Sequence, residues 1–395
     1  ALRALLARPS LAAAAAAAEG AWCAAAHEGV RLLCALLGPS PSLRNTLLTC
    51  QLEEGAAPWA LTIARCFRPS APMALRLESC RLICVLLEGA DAATCASLDA
   101  APAAGAGGGG DDGSDDGDGG GLAAGAALAS RLLALYANLA AGQPERLGLA
   151  VAALRSLLAV SHASKLRVLA SGFLPTLLAR VEDIRALCAL PRPTNGGGLG
   201  TDPSSTEVKR SELLPSLLGT ISVLSNLLAH CEEAKLACVS LQLPLLLLRL
   251  WPLGQSRNPT RGSEDEGRLT PPKEGTGAGA VRQQLLALLA NYVAHCAAAK
   301  CSLAAYSDAK GRSLVALLAH SVSRTPRPTQ TPPPLAQWNL SWAVLQSVAT
   351  APEGRAVLLR AQLAPKAAAA LRRLVGGKGS ADARAAAVAD FLANL

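Results

Sequence analysis

Residues 221–248 read ISVLSNLLAHCEEAKLACVSLQLPLLLL, and residues 285–318 answer them with LLALLANYVAHCAAAKCSLAAYSDAKGRSLVALL. Leu224, Asn226, Ala229, His230, Cys231, Ala234 and Lys235 match Leu289, Asn291, Ala294, His295, Cys296, Ala299 and Lys300, seven identities in the twelve positions 224–235. An echo at a period of a few tens of residues marks a chain built from stacked supersecondary units. Apolar residues recur at spacings of three and four, the period of a helix with one buried stripe. Such a unit cannot bury both its faces alone, so its neighbours supply the core and stability becomes a nearest-neighbour sum.

Working outward, the echo becomes a register. Ser156, Asn226, Asn291 and Gln346 are each followed nine residues later by a base: Lys165, Lys235, Lys300 and Arg355. Leu154, Leu224, Leu289 or Val344 stands two positions before each anchor, and Ala159, Ala229, Ala294 or Ala349 three after. Pro175, Pro244 and Pro365 then open a further apolar run. Weaker members are anchored at Cys34, with Arg44 ten residues on, and at Cys84. Each unit reads as a long helix ending near the anchor, a polar turn, a short helix carrying the base, and a third helix opened by proline. Proline suits a first helical turn, where its missing N–H removes no intrahelical bond. The 72-residue step from Cys84 to Ser156 is long enough to hide a further unit.

The linkers punctuate this register. Residues 1–98 read as degenerate N-terminal repeats and 99–121 as a disordered insertion, AGAGGGGDDGSDDGDGGG at its centre, which has no apolar surface to bury. Helical repeats follow over 122–190, a linker over 191–211, and a repeat over 212–253. Next come a disordered linker over 254–279, a repeat over 280–323, a proline-rich linker over 324–335 and a last repeat over 336–395. Long surface insertions are tolerated because closure entropy grows only logarithmically with length. Thr270, Thr325 and Thr331 precede proline in these linkers and have the form of phosphorylation sites. No stretch alternates at period two, so no sheet is expected.

Composition excludes several function classes. The net charge is +8, but only eight of 37 basic residues are lysine, a bias that resembles GC-rich coding, and no basic run interleaves with aromatics. Nucleic-acid binding is therefore not expected. The twelve cysteines sit mostly inside apolar helical runs and no CxxC occurs. They read as reduced core residues in the cytoplasm, not as disulfides or a zinc site. Asp116-Gly117-Asp118 lacks the spacing and the closing glutamate of a calcium loop. The apolar run 241–253 is too short to span a bilayer, so no membrane insertion is expected. The chain opens on Ala1, not Met, and reads as part of something longer.

No catalytic constellation appears, and neither enzymatic activity nor a cofactor or metal is expected. The repeated His230-Cys231 and His295-Cys296 pairs resemble a thiol with its base, yet adjacent helical residues point about 100° apart. A structural role at a helix end is the better reading. Residues 376–380, GGKGS, lack phosphate-loop spacing and a preceding strand. The recurring bases are a sharper puzzle, because a cation at the start of a helix is disfavoured by the dipole. Shared ancestry or a basic row facing an acidic partner would each explain them. Trp338 and Trp342 lie one helical turn apart and suit core packing better than an exposed anchor.

The pattern of L-x-N-L-A, polar turn, base, apolar run and L-P-x-L-L resembles the armadillo repeat, three helices in some forty residues. That resemblance implies an all-α helical-repeat solenoid of armadillo/HEAT type, whose concave groove is lined by the long helices and binds other proteins. It places Asn226, Asn291, Gln346, Lys165, Lys235, Lys300, Arg355 and Trp342 as candidate partner-binding residues. In the importin-alpha branch a tryptophan stands four residues before the asparagine. Here Ser222 and Ala287 take that place, and only Trp342 stands correctly, before Gln346. Recognition of nuclear signals is not expected. The phrases NLLAHCEEAKLACVS and LLANYVAHCAAAKCSL are most similar to a long armadillo-like component of centrioles and basal bodies. That likeness implies a scaffold in cilium assembly, with centrosomal or ciliary partners. A cytosolic adaptor or transport receptor reading linear peptides, and a regulatory subunit of an enzyme complex, are the alternatives.

Overall fold

The computed structural model describes residues 15–52, 58–100, 123–139, 144–189, 203–254, 277–308, 311–323, 335–376 and a few near 390. The described residues are helices and the turns between them, with no strand among them. They fall into two compact units, Ala1–Thr176 and Leu177–Leu395.

The second unit holds three helix triplets. The first comprises α10 (Pro203–Leu228), α11 (Glu232–Ser240) and α12 (Leu243–Leu250), the last continued by a 3-10 turn over Trp251–Gly254. The second comprises α13 (Gly277–Val293), α14 (Ala297–Ala305) and α15 (Leu314–Ser323), and the third α16 (Leu335–Ala349), α17 (Pro352–Arg360) and α18 (Leu363–Gly376). Every helix packs on its counterpart three elements later. Thus α10 lies on α13 and α13 on α16, α11 on α14 and α14 on α17, α12 on α15 and α15 on α18. Leu224, Leu227, Leu285, Leu289, Val344 and Leu345 fill the seams between the long helices, each almost wholly buried. This is a helical repeat of armadillo type, a long helix followed by two shorter ones.

The corners repeat as strictly as the helices. After α10 and α13 the chain turns through His230 and His295, both at φ 53°. Cys231 and Cys296 follow in extended backbone at φ −130° and open the short helices. Histidine is one of the few residues besides glycine that enters the left-handed region with any frequency. The next corner uses Gln242 at φ 56° and Gln362 at φ 52°, each directly before the third helix. Pro244 then takes the first turn of α12, as the spacing predicts.

The first unit repeats the arrangement with α1 (Ala15–Leu37), α2 (Pro41–Leu52) and α3 (Pro58–Arg65), then α4 (Met73–Leu87), α5 (Ala92–Asp99) and α6 (Ala124–Asn138). α7 (Pro144–Val160) and α8 (His162–Ala170) follow, and α9 (Phe173–Ala189) begins at its edge. Here too α1 packs on α4 and α4 on α7, α2 on α5 and α5 on α8, and α3 on α6. Gly172 at φ 67° occupies the corner that Gln242 and Gln362 hold elsewhere.

Two expectations need correction. No hidden unit separates Cys84 from Ser156 among the described residues. α5 and α6 are the second and third helices of one triplet, so the acidic insertion lengthens the connection inside it. The 191–211 linker is also too long, because α10 starts at Pro203 and carries Pro215 in its interior. An interior proline forfeits one intrahelical hydrogen bond, and packing on α13 holds the helix together. At the edges of the segments expected to be disordered, Asp99 closes α5, Gly254 closes the 3-10 turn and 277–279 open α13. Residues 101–121 and 255–276, nearly all of the proline-rich linker and the Thr-Pro sites lie outside the described residues.

Candidate functional site

The recurring bases have a definite destination. Arg44, Lys165, Lys235, Lys300 and Arg355 are each the fourth residue of a short helix. The Lys235 ammonium donates to the Ala294 carbonyl at 2.5 Å, just past the end of α13. Arg44 donates to the Val85 carbonyl at 2.8 Å, in the last turn of α4, and to the Glu88 carboxylate at 2.9 Å. Lys300 donates to Thr350 Oγ1 at 2.7 Å, one residue beyond α16. These three bases therefore cap the long helix of the following repeat. The last carbonyls of a helix lack intrahelical donors and carry the negative end of its dipole. A cation poorly placed for its own helix is well placed for the next.

Burial enforces the arrangement. Lys235 is only 4% exposed and Lys165 5%. Burial holds the Lys235 ammonium below the usual lysine range, and the Cys296 and Cys231 thiols and Glu232 partly oppose this. Lys300 is half-buried, while Arg355 is exposed.

Among the anchors, the Asn291 amide donates to the Ser225 carbonyl at 3.1 Å and Ser225 Oγ at 2.9 Å, tying α13 to α10. Further rungs run from Ser222 to Gln284, from Ser347 to the Val293 carbonyl and from Gln337 to the Gly279 carbonyl. Asn226 and Gln346 are half-buried on the same helix row. Trp342 is 1% exposed, packed against Trp338 and Phe391 with ring centroids 5.6 and 5.0 Å away. As partner-contacting residues, Lys165, Lys235 and Trp342 are therefore misassigned by the sequence. Their pattern arises from packing, since a position that must fill a seam recurs as regularly as one that meets a ligand.

The His-Cys pairs are not dyads. His230 and His295 are exposed at left-handed corners, whereas Cys231 and Cys296 are buried to within 1%. Eleven free cysteines are described, seven of them buried. Burial raises the Cys66 thiol to about 11 and the Cys238 thiol to about 12, far from a nucleophile's range. Among the described residues no three metal-ligating side chains converge, and no single helix is long and apolar enough to cross a membrane.

Two features lacked a sequence signal. Asp99, at the end of α5, accepts from Ser161 Oγ at 2.6 Å and from the His162 and Ala163 amides at 3.0 and 2.9 Å, capping α8 of the next repeat. It mirrors the base row with the opposite charge at the opposite helix end. The other is Arg282, whose guanidinium lies 4.5 Å from the centre of the Trp251 ring.

No family model and no curated protein matches the chain. Among solved structures, one of an engineered protein is 14% identical, covers 85% of this chain and 95% of its own, and has a TM-score of 0.48. SYS-1 is 12% identical, with 100% of this chain and 63% of that chain covered and a TM-score of 0.45. A structure described under a phosphorylation switch between cadherin and beta-catenin is 14% identical, with 100% and 83% covered and a TM-score of 0.29. All three scores are below 0.5, and the chain's own helix register carries the assignment: an all-α array of three-helix repeats of armadillo type.

Proposed function

We propose that this chain is a non-enzymatic scaffold that holds partner proteins on the surfaces of its repeats. One observation supports the reading above others. Side chains that recur with the repeat, Arg44, Lys235, Lys300 and Asn291, bind the neighbouring repeat. Chemistry repeated in this way builds a surface and does not assemble a single reactive centre. On the long-helix row Asn226 and Gln346 stay half-buried, and Arg355 is exposed on the short-helix row. These three keep surface at which a partner can dock.

The place of action follows from resemblance. The blocks around Asn226 and Asn291 resemble rotatin, and on that basis the scaffold acts in the cytoplasm at centrioles and basal bodies, in cilium assembly. Imaging and proximity labelling of the tagged full-length protein test both levels. Pericentriolar puncta with centrosomal neighbours are expected. A diffuse cytosolic or nuclear-rim signal refutes the centriolar reading and favours an adaptor or transport receptor. Steady co-purification with one enzyme favours a regulatory subunit.

A further inference from the structure

At Arg282 the packing of the second unit leaves a largely buried cation with no ion pair among the described residues. The residue sits in the second turn of α13, with only 7% of its surface exposed. Its guanidinium stacks on Trp251, itself 2% exposed. The 3-10 turn lies flush against it: a Cβ added to Gly254 would come within 3.1 Å of the Arg282 Cα and Cβ. No carboxylate or hydrogen-bond acceptor among the described residues meets this guanidinium. Burial alone draws its pKa down, to about 10, and no neighbouring charge contributes. It remains a cation at neutral pH.

A buried cation of this kind is expensive unless an anion accompanies it. Stacking on an indole recovers only part of the cost. Arg44 and Lys235, buried bases of the same array, have oxygens in reach: Val85 and Glu88 for the first, Ala294 for the second. A guanidinium stacked on one face keeps along its edge a two-pronged donor that matches two oxygens. Charge balance decides which anion fits. Phosphate sites gather several bases, whereas a single buried guanidinium is neutralised by one carboxylate and left negative by a phosphate dianion.

We propose that Arg282, held flat by Trp251, anchors a carboxylate of an acidic peptide segment in a partner protein. This deepens the scaffold reading and rests on it. The site belongs to the packed body of the second unit, where the third helix of one repeat meets the long helix of the next. It requires neither Asn226 nor Gln346.

The test uses the whole chain and fluorescein-labelled decapeptides in which glutamate alternates with leucine, with glutamine or phosphoserine replacing glutamate in the controls. Anisotropy is read at about 20 mM and about 150 mM salt. The glutamate peptide should bind about tenfold or more tightly than the glutamine peptide, as expected for a hydrogen-bonded charge pair. Arg282→Met should abolish that preference, while Arg312→Met, which removes an exposed guanidinium paired to Asp308, should leave it. Arg282→Met should also raise the melting temperature of the free chain, because it removes an uncompensated buried charge. Equal binding of the glutamate and glutamine peptides, or a preference that survives Arg282→Met, overturns the proposal. A stronger phosphoserine peptide whose binding needs Arg282 overturns the carboxylate assignment. A lowered melting temperature in Arg282→Met shows that the free chain already supplies the anion, the 264–266 acidic run of its own sequence included, and overturns it too. Failure here leaves the imaging and labelling result of the scaffold reading standing.

Discussion

Replacing Lys235 by methionine isolates the cross-repeat cap. Methionine keeps an unbranched apolar stem in the same 4%-exposed channel and removes only the ammonium. With the ammonium goes a 2.5 Å charge-assisted hydrogen bond to the Ala294 carbonyl, at the end of α13. A hydrogen bond with one charged partner contributes about 1.5–3 kcal/mol, and a cation at a helix C-terminus adds about 0.3–1 kcal/mol. Against this stands the relief of no longer burying an ammonium, visible in its lowered pKa. A net destabilisation of about 1–2 kcal/mol is expected from these opposing effects. For a unit the size of Leu177–Leu395 that is a fall of about 2–8 °C in melting temperature. Thermal and urea unfolding with Lys235→Met and Lys300→Met side by side give the assay. Lys300 meets a hydroxyl at 2.7 Å from a half-buried position, so its replacement should cost less, below about 1 kcal/mol. If Lys235→Met unfolds at the same temperature as the parent or higher, desolvation outweighs the bond, and the base row is ancestry without energetic function. The pH sign is opposite to that of a stabilised cation. Because the folded pKa is depressed, the cost of charging Lys235 is complete below that folded value and is relieved as pH rises through it toward 10.5.

Other substitutions test the remaining geometry. Gly354→Ala places a Cβ 2.1 Å from the Val348 carbonyl oxygen and 2.7 Å from its Cγ1. It should lower stability by about 1–3 kcal/mol in urea unfolding, while Gly148→Ala, with nothing within 4 Å, should raise it by about 0.5–1 kcal/mol. Gln242→Gly and Gln362→Gly relieve a left-handed side chain and should each stabilise by about 1 kcal/mol, read as a higher urea midpoint. Asn291→Ala removes a bond to Ser225 and should cost about 1 kcal/mol; Asn226→Ala, at a half-buried position, should weaken partner capture. With a thiol reagent at pH 8, the half-exposed Cys95 and Cys301 should react in the folded chain, and the buried Cys238 and Cys296 only at the rate of unfolding, counted by mass spectrometry.

What the sequence by itself determined is the repeat. Helix ends are local events: a residue able to turn left-handed, a short helix whose fourth residue is a base, a proline opening the third helix. They recur at spacings that survive the insertions, so the triplets around Asn226, Asn291 and Gln346 could be read directly. Where the turn chemistry differs, as at Pro203, the boundary drifted. Only the tertiary structure decided what the recurring side chains touch. Lys235 and Ala294 lie 59 residues apart, Asp99 and Ser161 62, and Trp251 and Arg282 are separated by a linker outside the described residues. Each pair meets because stacking advances the chain by one repeat; for Lys235 this brings the start of a short helix beside the end of the next long one. A linear pattern records that a base recurs. Whether it meets a partner protein or the neighbouring helix depends on which side of the stack it faces, and that is settled only when the repeats pack.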